Sequence, residues 1–193
     1  MGNYVFNIAK ELMAKGDIRM DDPEVDLNSV TNQADTTHAG LGVGIGKYRV
    51  MLITTGSSLV LSTTANGALQ AIDVPTVDAI TTLNELSITG YDNLAAGGES
   101  DGILGSLTVT AVVGSSGASY VKWDAADTTF NNISASATIG GLLIIWSKAT
   151  PTGSNNTLQI PLVWIDLTGT TITTNGGDIE IVWASDGIAR LNA

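Results

Sequence analysis

The sequence predicts an all-β protein: a β-sandwich or jelly-roll-like domain over residues 47–193, preceded by a short N-terminal amphipathic helix and an extended arm within residues 1–46. Three observations lead to this class. The 193 residues include 22 glycines and only 14% charged residues, a composition typical of strands and turns. About eight to ten short apolar or alternating segments are separated by turn-forming residues. The sequence shows no internal repeat of ~20–50 residues that would indicate a solenoid or a propeller.

Apolar residues near the N-terminus recur at the spacing of one helix face, which predicts a short amphipathic helix over residues 4–15. Asn3 can cap the start of this helix, and Gly16 follows at the point where it would end. Two interpretations of its apolar face are open. The face packs on the protein's own domain, or it docks as an arm on another subunit.

Residues 17–35 are acidic, polar and interrupted by Pro23, so we expect an extended, solvated connection. The carboxylates lack the alternating spacing, central glycine and terminal glutamate of an EF-hand loop. Residues 38–47 alternate glycine with apolar residues, but they match neither nucleotide-binding glycine motif, and a strand-like segment is predicted instead. We expect partner contacts in this N-terminal region, at Tyr4, Val5, Ile8, Leu12, Asp21, Asp22, Leu41, Val43 and Ile45.

Strand signals are densest in residues 120–146, which are predicted to form three strands. The last of these, at residues 142–146, is apolar on both faces and follows Gly140 and Gly141, as is typical of a strand buried in a sandwich. Pro161 cannot donate to a ladder, so it is predicted at a sheet edge or a bulge. The other predicted strands are residues 48–55, 85–90, 107–113, 158–166, 178–183 and 188–191.

The segment 107–113 alternates in polarity, with Val109 and Ala111 on one predicted face and Thr108 and Thr110 on the other. The glycines and serines of residues 114–117 follow it directly and lead into the next predicted strand. This pattern predicts a β-hairpin.

The charge of the chain argues against nucleic-acid binding. Its formal net charge is −11, and an acidic surface repels the phosphate backbone. The absence of cysteine excludes disulfides and thiolate metal sites. The sequence shows no signal-peptide pattern and no apolar run of ~18 residues, so we expect a protein that is made and used in soluble form, without a membrane.

The residue chemistry contains no enzymatic signature. The only histidine, His38, lies in a glycine-rich stretch, and no serine occurs in a nucleophile-elbow context. Carboxylate pairs suitable for glycoside hydrolysis exist in number, but they sit beside turns, where aspartate commonly caps the local backbone. We therefore expect no catalytic residues, no cofactor and no metal.

The four tryptophans leave a binding role open. Each lies on or at the end of a predicted strand, and exposed tryptophans can stack on sugars, so an adhesin is conceivable. Trp164 and Trp183, however, continue the apolar faces of their own strands. This placement favours the core or a subunit interface for those two.

The C-terminal third of the chain carries three segments in order, YVKWDAADTTFNNISASATIGGLLIIW, then PLVWIDL, then TTNGGDIEIVWASDGIARL. Two further segments, YRVMLITTG and NELSITGY, lie earlier in the chain. Together these segments resemble a family of small tailed-phage virion proteins. The resemblance covers residues 48–55 and 84–193, and in the family the last motif forms a hairpin. The acidic arm and the glycine-rich insert at residues 36–46 depart from the family pattern.

The resemblance implies a structural role in a virion and carries no catalytic motif. The first expectation is a capsid decoration, or cement, protein that is made in the host cytoplasm and lies on the outer capsid surface. It would act as a homotrimer and bind the major capsid protein. The alternative is a tail or head-fibre component that acts as a receptor-binding adhesin.

Overall fold

The structure is a computed structural model, and it describes residues 3–15, 20, 46–55, 77, 80, 83–91, 102–113, 119–148, 159–167 and 169–192. Within these residues the chain forms ten strands and one helix. They are β1 (Asn3–Val5), α1 (Asn7–Lys15), β2 (Gly46–Thr54), β3 (Thr108–Val113), β4 (Ser119–Asp124), β5 (Thr128–Phe130), β6 (Thr138–Lys148), β7 (Gln159–Asp166), β8 (Ile172–Thr173), β9 (Ile179–Ile181) and β10 (Ala189–Asn192).

The larger sheet is built around β6. Five strands form it in the order β1-β7-β6-β2, with β8 paired to the beginning of β6, and all its pairs are antiparallel. Every residue of β6 from Ile139 to Ser147 is buried, so neither face of the strand reaches solvent. The predicted buried strand is therefore confirmed.

Two glycines inside β6 allow a bulge and a close side-chain contact. The β2–β6 register shifts between Ile53 and Thr54, which leaves Gly140 as an extra residue in a bulge. At Gly141 a Cβ atom would lie 2.1 Å from the Trp164 ring, so only glycine lets this tryptophan cross the strand. The glycine pair thus lies within strand β6. The sequence alone had suggested that the pair precedes the strand.

Pro161 lies at a bulge, as predicted. Ile144 pairs with Val163 while Ile145 pairs with Pro161, so Leu162 of β7 has no partner on β6. The Leu162 carbonyl instead accepts a hydrogen bond of 2.9 Å from the Phe6 N–H. Pro161, which has no N–H group to donate, thus lies where the ladder of hydrogen bonds is already interrupted.

Two short segments pair with the outer edge of β2. Leu104 and Leu86 donate backbone hydrogen bonds of 2.9 and 2.8 Å to the carbonyls of Tyr48 and Leu52. Residues 85–90, predicted as a strand, form only an isolated bridge between Glu85 and Ile53. Tyr91 strengthens this region, because its hydroxyl accepts from the Leu52 N–H and donates to Glu85 at 2.7 Å.

The second layer consists of a three-stranded sheet, β10-β4-β3, and a two-stranded sheet, β5-β9. The Tyr48 ring of β2 meets the Trp123 ring of β4 edge-on, with centroids 5.3 Å apart. Phe130 of β5 contacts Tyr91 at 5.8 Å between centroids. The described part of the chain is thus an all-β fold with antiparallel sheets, which confirms the predicted class.

The expected C-terminal hairpin is absent. β9 pairs with β5, whereas β10 pairs with β4, so the connection between β9 and β10 crosses from one sheet to the other. The tight turn at Gly187, with φ of 80°, sits against the Trp123 carbonyl at a distance that leaves no room for a Cβ atom. The predicted turn at Asp186 and Gly187 is confirmed. The predicted pairing of the two strands on either side of this turn is wrong.

The N-terminal residues belong to the same core as the strands. β1 pairs with β7, which places Tyr4 opposite Trp164, and the helix begins only at Asn7. The predicted helix start at residue 4 was therefore wrong, because the open edge of β7 takes residues 3–5 as a strand and so satisfies its backbone groups.

The apolar face of α1 is turned inward. Ile8 and Leu12 are 7% and 2% exposed and belong to the single hydrophobic core, with Phe6 and Ala9 fully buried beside them. Of the two interpretations of this face, packing on the chain's own domain is the one observed. Ile8 and Leu12 are not surface contacts for a partner in this arrangement.

We predict that Gly141→Ala destabilises the protein by about 1–3 kcal/mol, because the new Cβ atom collides with the buried Trp164 ring. Urea unfolding of the two proteins measures this difference. Gly105→Ala is the matched control, since a Cβ atom there meets nothing within 4 Å. Equal unfolding midpoints for the two variants would contradict the close approach.

We predict that Leu12→Ala lowers the free energy of unfolding by about 2–5 kcal/mol, as expected for a fully packed core leucine. Lys10→Ala on the exposed face of α1 should change it by about 0.5 kcal/mol or less. Thermal or urea unfolding of the isolated chain gives both values. A helix that served only as an arm for another subunit would show no difference between the two variants.

Candidate functional site

Three described carboxylates near the predicted turns accept hydrogen bonds from backbone N–H groups. Asp127 accepts a hydrogen bond of 3.0 Å from the Trp183 N–H, and Asp178 accepts one of 2.8 Å from the Asn132 N–H. Asp124 accepts from the Ala125 N–H and forms an ion pair of 2.8 Å with Lys122. Of these three, only the Asp124 contact is the local capping that the sequence indicated for aspartates beside turns, because Asp127 and Asp178 bind backbone groups that are distant in the sequence.

Metal-ligating residues do not converge in the described parts of the chain. Searching them for three or more histidine, cysteine or acidic side chains around one point finds no such group. His38 lies outside the described residues. In the same residues, no helix is long and apolar enough to span a membrane.

The aromatic side chains are mostly buried. Trp123, Trp146 and Trp164 are 2%, 1% and 6% exposed. Trp183 is partly exposed, and its indole N–H donates to the Ala126 carbonyl at 3.1 Å. Tyr120 is covered by the Arg190 guanidinium, which lies 4.6 Å from the ring centroid. An exposed tryptophan platform for stacking on sugars is therefore not formed by the described tryptophans.

The three-stranded sheet β10-β4-β3 has two faces of different character, which its register defines. The polar face carries Lys122, which pairs with Asp124, and Arg190, which forms an ion pair with Asp186. The residues of β3 on this face are Thr108, Thr110 and Val112, and the first two are exposed. This face is an ordinary solvated surface.

The opposite face of this sheet is apolar. Val109 pairs with Trp123, Ala111 pairs with Val121, and Ala189 pairs with Trp123 from the other side, so these five side chains share one face. We call these residues the apolar face. All five side chains are hydrophobic, and the indole N–H of Trp123 is the one polar group among them.

The apolar face is only partly covered. Trp123 is 2% exposed because it packs against Tyr48, whereas its cross-strand neighbour Val109 is 43% exposed. Ala111 is also exposed, and Val121 is half-buried. Among the described residues, the packing that covers one end of this face therefore stops at Trp123.

In the part of the chain that the structure describes, one backbone edge of strand β3 has no paired strand. The strand pairs with β4 on one side, and no described strand pairs with the other. Its six residues, TVTAVV, include no charge and no proline, which are the usual protection of an exposed edge. An exposed apolar face beside such an edge is typical of a protein–protein contact surface.

The structure locates only some of the sequence-predicted contact residues. Ile8 and Leu12 point into the core, Val5 lies in β1 packed against the core, and Tyr4 lies in the same strand. The remaining predicted residues, Asp21, Asp22, Leu41, Val43 and Ile45, lie outside the described residues. The surface that the structure does show was visible in the sequence only as the alternation of residues 107–113, which by itself predicts a core strand equally well.

Comparison with known proteins gives no relative from which a role can be transferred. The search of protein-family models found no matching family, and the searches of curated proteins and of solved structures found no similar protein.

We predict that iodide quenches only a minor part of the tryptophan fluorescence, and that Trp183→Phe removes most of that part. Trp183 is the one of the four tryptophans that is not buried, so it is the one that the anion can reach. Trp146→Phe is the control and should leave the quenchable part in place. Strong quenching that survives Trp183→Phe would show that a tryptophan described as buried is accessible.

Proposed function

We propose that this chain is a bacteriophage virion structural protein that decorates the outer capsid surface as an oligomer and stabilises the contacts between major capsid subunits. The observation that carries the proposal is the resemblance of residues 120–146, 161–167 and 173–191 to small virion proteins of tailed phages. The resembling segments supply strands β4 to β7, β9 and β10. The similarity thus concerns the framework of both layers.

The physical role of such a protein is to add weak contacts in parallel. A capsid under internal pressure is held by many subunit contacts, and an oligomer that touches several subunits converts modest affinities into strong avidity. The net charge of −11 suits an outer position, since this chain gains nothing from contact with packaged DNA. The trimer remains the stoichiometry that we propose from the resemblance.

The open apolar face supports an assembly role over an enzymatic one. It offers an uncharged contact surface, whereas three of the described carboxylates are engaged as backbone acceptors. The alternative role, a receptor-binding adhesin on a tail or head fibre, has less support. Three of the four tryptophans are buried, and the fourth donates its indole N–H within the chain.

The test is the number of copies per particle. In purified virions that contain this chain, quantitative mass spectrometry should give a copy number that follows that of the major capsid protein. Particles stripped of the chain should release DNA at a lower temperature, and adding back the full chain should restore the release temperature. A copy number that follows the tail fibres, with no effect on DNA release, would contradict capsid decoration and favour the adhesin.

A further inference from the structure

The turn between β8 and β9 places an asparagine directly before a glycine on the protein surface. Asn175 and Gly176 are both exposed. Gly176 has a φ of 92°, a left-handed conformation that glycine adopts without strain. A Cβ atom built on Gly176 would meet nothing within 4 Å, so the space around this residue is open. Water therefore reaches the peptide bond that joins the two residues.

The Asn175 side chain turns back over this peptide bond. Its Oδ1 atom accepts a hydrogen bond of 3.1 Å from the Gly177 N–H, which forms an Asx turn. The ring that this hydrogen bond closes contains both the Asn175 Cγ atom and the Gly176 backbone nitrogen. The N–H donor also withdraws electron density from the Cγ carbonyl, which makes its carbon a better electrophile. An activated amide carbon and a backbone nitrogen are thus held in the same small ring.

The turn at Asp186 and Gly187 contains the corresponding acidic pair and differs from it in two ways. The Gly187 N–H donates a hydrogen bond of 2.7 Å to the Ala184 carbonyl, so its nitrogen is fixed in another contact. The Asp186 carboxylate forms an ion pair with Arg190. Neither group is oriented toward the other by a local hydrogen bond of the kind that Asn175 makes. The structure thus distinguishes two turns that look alike in the sequence.

Both ends of the turn at Asn175 are attached to the segment between β5 and β6. The Thr174 N–H donates to the Ala137 carbonyl at 2.9 Å, and the Thr174 hydroxyl accepts from the Ala137 N–H at 2.9 Å. The Thr174 carbonyl accepts a hydrogen bond of 3.1 Å from the Ser136 N–H. At the other end, the Gly177 carbonyl accepts one of 3.1 Å from the Ile133 N–H. The length of main chain between these two attachments is therefore fixed.

We propose that Asn175 is a site of spontaneous deamidation, and that its main product is isoaspartate. The Gly176 nitrogen forms a bond to the Asn175 Cγ atom, and the bond from Cγ to Nδ2 breaks. The Nδ2 group leaves as ammonia, together with the proton of the peptide N–H. Water then opens the succinimide ring, either at the main-chain carbonyl, which gives isoaspartate, or at the Cγ carbonyl, which gives aspartate.

The two products affect the turn differently. Aspartate leaves the main chain unchanged, and its carboxylate still accepts from the Gly177 N–H in a stronger, charge-assisted hydrogen bond. Isoaspartate adds a methylene group to the main chain between two attached ends, so the hydrogen bonds to Ser136 and Ile133 are strained. Formation of isoaspartate should therefore loosen this end of the structure over time. The inference does not rest on the proposed function.

The first experiment follows the modification in the full chain. The folded protein is kept in mildly alkaline buffer, and peptide mapping with electron-transfer fragmentation locates isoaspartate. Gly176→Ala should slow conversion of Asn175 by roughly tenfold or more, because a Cβ atom crowds the attacking nitrogen and the turn no longer suits the residue. Gly177→Ala is the matched control and should convert like the unchanged chain, since it keeps the Gly176 nitrogen.

Two results of this experiment would overturn the proposal. Asn175 that remains an amide in the folded chain, while the unfolded chain converts, would show that the fold protects the site. Equal rates for Gly176→Ala and Gly177→Ala would show that the Gly176 nitrogen is not the attacking group. The map also separates this site from Asn66 and Gly67, an Asn-Gly pair outside the described residues. We expect no isoaspartate at Asp186.

A second experiment tests the consequence for the fold. Hydrogen exchange of the purified isoaspartate form is compared with that of Asn175→Asp, which has the same charge and an unchanged main chain. The amides of Ile133 and Ser136 should exchange roughly tenfold faster in the isoaspartate form. The Leu104 amide, which donates to Tyr48, should exchange equally in both forms. Equal protection of Ile133 and Ser136 in the two forms would contradict the strained turn.

Discussion

The fold depends on the burial of strand β6 on both of its faces. A strand of this composition lowers its free energy only where layers cover both sides and strands flank both edges. β2 and β7 provide the flanking ladders, and Tyr48 of β2 meets Trp123 of the second layer. The N-terminal residues extend the same core, since β1 pairs with β7 and Leu12 of α1 is buried. β2 and β7 thus flank the central strand, and β1 and α1 extend the core to which it belongs.

Trp123 lies between the buried core around β6 and the apolar face that supports the proposed function. Its ring packs against Tyr48 and its indole N–H is satisfied by Met20, so it attaches the three-stranded sheet firmly to the core. Beyond Trp123 the same sheet face is exposed at Val109 and Ala111.

The sequence predicted the parts of the fold that are set by local pattern. The all-β class, the buried run of β6, the β3–β4 pairing and the bulge at Pro161 follow from alternation, apolar runs and the missing proline donor. The pairing of β1 with β7 and the separation of β9 from β10 depend on which strand edges are open in three dimensions, and no local pattern encodes that. The apolar face was hidden for the same reason, because the alternation at Val109 and Ala111 does not reveal whether another layer covers it.

The central claim is the proposal that this chain decorates the outer surface of a capsid. Electron cryomicroscopy of the whole particle tests this most directly, since it shows position and contacts together. The account predicts density for this chain repeated over the outer capsid surface at the junctions of capsid subunits. Density confined to the tail would contradict it.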